Sequence, residues 1–476
     1  MKGNWILTVL AAAAFVATGC KAQFPQTVRE PVRFEDGTNA SGDPEGEALF
    51  AQDRFLTDTT LNAKGDRVLV LRHESAYVRM QLEGLPADAG IDRILLIPTE
   101  GKAAYVPVSI SEAGSCVVWM EKEPGRLPAT AAVAQGKDGR TWSARLGGRE
   151  LHAGAAYRWD AVCVRSEALV SDITAQPLAA TPMPEVEAGE YSGITRIQGD
   201  RYAVVSDNLK GGAIVFFNIP IDGDGVVGEV SMRPADGTVS AGGKKRDCEG
   251  VAFAPSPGTL YVTSEKHQEI LEYDLAGRAT GNALQVPEDL SVSAIVNNRG
   301  FEALSYNDAT GLFWTTTEAP LKEDGFLPRI HRLQSFTKDG KPAERFLYQA
   351  EEPTRSASNT AAYVFGIPSV AALDDGRLLV LEREVYVPGG SVWDKLQSAF
   401  TKMDLFLVDP VHDTAGILRK ARLCSFGTVA VDLANFEGMC LGPVLPDGSR
   451  CLVLIADSQK GSGGLTQEYV KVILLR

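Results

Sequence analysis

The sequence has little of what several large function classes need. It lacks a basic excess: 61 Asp and Glu outnumber 47 Lys and Arg, a formal charge of −14. A nucleic-acid surface carries a basic footprint, so that partner is excluded. Histidine is scarce, with five in the whole chain. None stands in an HxxxH pair, which argues against a zinc hydrolase. The absence of any CxxC pair argues against a zinc ribbon. Without a GxSxG elbow, a serine hydrolase of that type is not expected. One GxGxxG string exists, Gly223 to Gly228, but it lies between two expected strands. No helix follows to meet a pyrophosphate, so it reads as a hairpin loop. Beyond the first twenty residues no apolar run is long enough to span a bilayer.

What is present begins with the N-terminus. Lys2 precedes a nearly unbroken apolar stretch from Trp5 to Ala17, followed by Thr18-Gly19-Cys20. This run is too short to span and reads as an export signal. The small residues before Cys20 resemble a bacterial lipoprotein signal, with Ala17 where Leu is usual. The resemblance implies a diacylglycerol on the Cys20 thiol and a mature protein tethered at the cell envelope, on either face of the outer membrane. Residues 21–45 are polar, with Gly, Pro and Asp, and are expected to be a flexible tether. Six cysteines remain. Cys116 and Cys163 could pair, as could Cys440 and Cys451 across the turn at Pro446-Asp447-Gly448; buried thiols are the other reading.

Gly (47) and Pro (25) are frequent, and short alternating runs lie between them, which points to an all-β chain. Residues 46–165 carry six such runs, from Arg67–Arg72 to Tyr157–Val164, with the period of half-buried strands. A β-sandwich is expected there. The pattern is similar to fimbrillin-like modules of bacterial surface lipoproteins, which implies a spacer or adhesion role.

Residues 166–476 hold a repeat. Its copies start at Tyr191-Ser192-Gly193, Cys248-Glu249-Gly250, Phe301-Glu302-Ala303, Pro368-Ser369-Val370 and Phe436-Glu437-Gly438. They recur roughly every 50–70 residues, each with a strand, a turn and a second strand ending in a polar cluster. Four strands per unit predict a β-propeller of five or six blades, with Ala168–Ile173 closing the ring against the last unit. In a propeller the innermost strand of each blade lines the channel, and a hairpin returns the second strand to the same end. Glu249, Glu302 and Glu437 are therefore expected at one channel mouth, with Asp207, Glu265, Glu318, Glu384 and Asp457 around them. Converging carboxylates need neutralising, and Ca²⁺ is the expected ion. The alternative is that these acids cap strand ends. Basic residues lie close in sequence, including Lys244, Lys245, Arg246, Lys266, His267, Arg329, His331 and Lys460. Arg299 and Arg383 stand nearest the repeat acids.

Four motifs in order resemble the esterase-like phytase family of exported bacterial propellers. They are Glu249-Gly250-Val251 with Tyr261–Glu265; Asn298–Leu304 with Thr317–Leu321; Leu373–Arg383; and Asn435–Met439 with Leu454–Ser458. The resemblance covers roughly residues 185–476. Cys248 stands where Pro is common, and Ala303 where Gly is usual. It implies a β-propeller and an ester or phosphoester hydrolase. In that reading Glu249, Glu302 and Glu437 hold the metal, Glu265 or Glu318 is the general base, and Arg299 or Arg383 steadies a phosphate. The competing reading is a non-catalytic propeller presenting the same face to a ligand or partner. The lipid reading carries its own test. Cys20→Ser is expected to release the protein from membranes, and fractionation checks it; continued membrane association overturns the lipoprotein assignment.

Overall fold

The computed structural model describes residues 26–184, 186, 189–206, 213–232, 238–240, 246–324, 329–429, 433–457 and 468–476. The chain divides into two compact units, with Arg165 ending the first and Ser166 opening the main run of the second; Thr99–Ala103 groups with the second. Among the described residues no helix is long and apolar enough to cross a membrane.

The first unit is a sandwich. One sheet has the order Arg33–Phe34, Ala155–Val162, Ala76–Glu83, Cys116–Lys122. The other runs Val164–Arg165, Thr141–Leu146, Thr130–Gln135, Arg93–Pro98, Ala104–Pro107. Alternate residues Val78, Met80 and Leu82 of the first sheet share a core with Ile94, Leu96, Ala132, Ala134, Trp142 and Ala144 of the second. That is the period-2 pattern doing what pleating requires. One expectation needs correction, and one strand was not anticipated. Residues 26–45 are not a free tether: Gln26–Arg29 pairs in parallel with Arg67–His73, and Arg33–Phe34 pairs with Ala155–Val162. Alanine-rich Thr130–Gln135 is a central strand, although alanine gives it little β signal.

The second unit is a five-bladed propeller among the described residues. Innermost strands are Tyr191–Gln198, Val251–Ala254, Phe301–Asn307, Thr360–Ala372 and Asn435–Val444. Each touches the next, and the last returns to the first. Second strands such as Thr259–Ser264 and Arg450–Asp457 are buried almost throughout, and Cys451–Ala456 of the latter is an unbroken apolar run. Each fully buried Leu, Ile or Val there contributes about 1.5–3 kcal/mol. Outer strands such as Ala279–Leu284 are exposed and polar. The expected hairpin turns form, with Gly376 at φ 89° and Gly448 at φ 87° supplying the left-handed residue. Gly223–Gly228 is a loop as expected, with Val226 N–H donating to Asp222 Oδ1 at 2.8 Å.

Closure uses a different segment from the one expected. Ala175–Pro182 pairs antiparallel with Tyr469–Leu475 as the fourth strand of the last blade. Ala168–Ile173 lies just before it and forms no strand. Past the Gly223–Gly228 loop the first blade's next strand is only Ser231–Met232. Cys440 lies opposite Val453, not Cys451, so those two thiols do not face each other. All six described cysteines are thiols.

The innermost strands approach closely. A Cβ on Gly250 would lie 2.8 Å from Glu302 O, and one on Gly438 2.6 Å from Ser192 O. Real Cβ atoms do not come that near a carbonyl oxygen, so the Glu-Gly motif follows from the narrow ring. Gly438→Ala is expected to destabilise the propeller by about 1–3 kcal/mol, because only backbone could give way. Urea unfolding measures this, with Ala303→Gly, at the matching position of the third blade, as the tolerant control.

Candidate active site

Bulges build the channel mouth. In the first blade Tyr191 pairs with Ser206 and Gly193 with Val205, which leaves Ser192 unpaired in the ladder. The third blade skips Glu302 between Phe301 and Ala303, and the fifth skips Glu437 between Phe436 and Gly438. A bulge re-aims the extra side chain. In the second blade Glu249 precedes the strand, held by Thr263 N–H donating to Gly250 O at 2.9 Å. The fourth blade bulges after Gly366 and offers no acid there. Its contribution comes from the second strand as Arg383.

Arg383 is 3% exposed. Its Nη2 donates to Glu318 Oε1, and its Nη1 to Glu437 Oε1 and, at 3.1 Å, to Asn435 Oδ1. Its Nε is buried and makes no hydrogen bond among the described residues. Arg299 Nη1 reaches the other oxygen of Glu318 at 2.6 Å. Asn435 Nδ2 also donates to Glu437 Oε1, at 2.8 Å. Glu302 feels the charges of Glu318, Glu249, Glu437 and Arg383, so the structure brings the three repeat acids together around one arginine. Beside them Glu265 Oε1 accepts from Gly300 N–H at 2.8 Å.

Other expected residues stand elsewhere or take ordinary roles. Glu384 accepts from Thr354 N–H, Thr354 Oγ1 and Arg355 N–H, so it caps a loop. Asp457 lies opposite Asn435 and raises Glu437. Arg246 pairs with Glu269 at 2.7 Å, and Arg329 with Glu352 at 3.2 Å. His331 is buried with Nδ1 3.3 Å from Thr317 O, and burial holds its pKa down to about 4. Asp207, Lys244, Lys245, Lys460 and Cys20 lie outside the described residues. Asn435 and Asp247 were not expected at the site. Asn435 stands two residues before Glu437, and the bulge at Glu437 brings its carboxylate to Asn435 Nδ2. Asp247 carries a positive φ of 55°, which no local pattern announces.

Residues 186–459 match the family described as Phytase-like, with the esterase-like activity of phytase. The chain belongs to that family. Its distant structural likenesses include the RS223 β-xylosidase, at 10% identity over 63% of this chain and 95% of that one, TM-score 0.35. A protein of unknown function from Bacteroides thetaiotaomicron shares 9% identity over 89% of this chain and 99% of its own, TM-score 0.30. The β-propeller domain of Myceliophteria thermophila Cps50 (Swd1) shares 8% over 62% and 99%, TM-score 0.27. No curated protein matches the chain.

In this phytase-like propeller the carboxyls outnumber their cations, and protonation responds. Burial holds Glu302 well above the ordinary carboxyl range; Glu318, Glu249 and Glu437 push it further, and Arg383 opposes them. Glu437 is pushed up to about 8 by burial, with Asp457 and Glu318 adding and Arg383 opposing. Burial likewise raises Glu265 to about 7, against the Gly300 hydrogen bond. As for a metal, no group of three or more His, Cys, Asp or Glu is arranged to hold one among the described residues. Arg383 stands between Glu318 and Glu437, where a cation was expected.

Because Glu265 binds its proton more tightly when folded, it stabilises the fold fully below about pH 4.5, and that contribution is lost as pH rises through about 7. Glu265→Gln mimics the protonated form. Relative to wild type it is expected to gain on the order of 3 kcal/mol at pH 8 and little at pH 4.5. Denaturation at the two pH values checks this; an equal change at both would remove the buried carboxyl as its cause.

Proposed function

We propose that this propeller is a phosphoester hydrolase acting at the channel mouth, displayed at the cell envelope by a lipid on Cys20. The observation that supports it is a buried carboxyl, Glu265, with a pKa of about 7 beside an arginine-braced acidic ring. A group poised near neutrality both takes and gives a proton, which ester hydrolysis needs at each end of the reaction. Glu318 is held by Arg299 and Arg383, so Glu265 is the better general acid–base residue of the two. The two arginines position Glu318 and screen the ring.

Ca²⁺ is proposed as the ion for Glu249, Glu302 and Glu437, since their mutual repulsion favours a cation. When bound it would polarise a phosphoryl oxygen. No step is assigned to it, because Arg383 already spans Glu318 and Glu437. The second reading, a propeller that binds a ligand without turnover, is favoured by the same fact: both guanidiniums are already engaged by carboxylates.

The deciding experiment is metal analysis of the purified protein with a screen of phosphoesters and carboxylesters, with and without chelator. Glu265→Gln is expected to lower phosphoester turnover about 100-fold or more. Glu302→Gln keeps the side-chain shape, removes one negative charge and should weaken Ca²⁺ binding, with turnover partly restored by excess ion. Metal content unchanged in Glu302→Gln sinks the calcium proposal. Absence of turnover on every ester, with ligand binding retained, assigns the second reading.

A further inference from the structure

Beside the channel mouth lies a cleft of about 320 Å³, at the lower end of the range for small-ligand sites. Its walls come from four segments of the second and third blades. The turn after Thr259–Ser264 brings Glu265 and Lys266, and the crossing between the blades brings Val292, Ile295, Asn297 and Asn298. Lys322 follows Leu312–Thr317, and Asp247 precedes the second blade's inner strand. Glu265 is 3% exposed and belongs to both the cleft and the acidic ring, since Glu318 and Arg299 act on it. Asp247 (φ 55°) and Asn298 (φ 54°) both line the cleft in left-handed backbone. Such strain collects where a site needs a particular loop shape.

The cleft also answers a difficulty in the hydrolase reading. Arg299 and Arg383 were expected to steady a phosphate, yet both guanidiniums are spent on Glu318 and Glu437. Lys266 and Lys322 are exposed and make no ion pair with a described carboxylate; Lys322 Nζ donates to Ser293 O at 3.1 Å. An ammonium keeps further donors for an anion when one is used. Asn297 and Asn298 carry amide N–H groups, and Val292 and Ile295 give an apolar wall.

We propose that this cleft, with Lys266 and Lys322 at its walls and Glu265 at its base, is the subsite that takes the phosphate monoester group of a soluble substrate. The two ammonium groups bind the phosphate oxygens as point charges. The ester oxygen then lies beside Glu265. This assignment rests on the hydrolase reading for its use, but the binding site can fail or stand alone.

The test is equilibrium dialysis of the whole protein against radiolabelled inorganic phosphate, alongside turnover of p-nitrophenyl phosphate. Wild type is expected to bind phosphate, and Lys266→Gln with Lys322→Gln to weaken it at least tenfold. Lys338→Gln with Lys341→Gln removes the same charge in the hairpin after Ile330–Thr337 and is expected to leave affinity unchanged. Thermal unfolding confirms that both double variants fold. Wild-type affinity in the Lys266/Lys322 variant, equal losses in both variants, or no binding by wild type overturns the subsite. If phosphate binds through the lysines but no ester is cleaved, the subsite stands and the hydrolase reading falls. If the ester is cleaved with an unchanged KM in the Lys266/Lys322 variant, the reverse holds.

Discussion

The Ser192 carbonyl oxygen lies only 2.6 Å from where a Cβ on Gly438 would be, and the Glu302 carbonyl crowds Gly250 in the same way at 2.8 Å. Five innermost strands closing a ring leave no room for side chains at these crossings. Glycine is therefore required there, and the ladder bulges at Ser192, Glu302 and Glu437. A bulge turns a side chain out of the ordinary alternation. The crowding that closes the ring thus also delivers glutamates to the channel mouth.

Gathering carboxyls raises an electrostatic cost that the ring meets in two ways. Arg383 bonds to Glu318 and Glu437, and Arg299 takes the remaining oxygen of Glu318. Burial, with neighbouring carboxylates adding to it, shifts Glu302, Glu437 and Glu265 upward, so protons meet part of the remaining cost. A buried arginine holding two acids is rigid, since losing either partner leaves an uncompensated charge. Rigidity on this side and a solvent-open cleft on the other put Glu265 at the boundary between a fixed electrostatic frame and a space able to admit a ligand.

Much of this architecture was legible from local pattern. The repeat starts, the Gly376 and Gly448 turns and the largely apolar second strands are each set by neighbours along the chain, so the four-stranded blade could be read directly. Glu249, Glu302 and Glu437 were legible as a group because the repeat puts them at equivalent places. The closing strand was misplaced because Ala175–Pro182, with its two prolines, carries little strand signal of its own. It becomes a strand only when Tyr469–Leu475 offers an edge. Residues 26–45 read as a tether for the same reason: their ladder partners, Arg67–His73 and Ala155–Val162, are distant in sequence.

By itself the sequence determined composition class, repeat, turns and the identity of the mouth acids, because these depend on spacing along one chain. Tertiary structure decided what neutralises those acids. Arg383 comes from the fourth blade, Glu318 from the third and Glu437 from the fifth, and only the packing of these neighbouring blades sets the guanidinium between the two carboxylates. It also decided which cations are spent and which face open space. An arginine adjacent to an acid in sequence looks the same whether its partner is a phosphate or another blade's carboxylate. That choice is made by distance across the fold, which spacing along the chain does not encode.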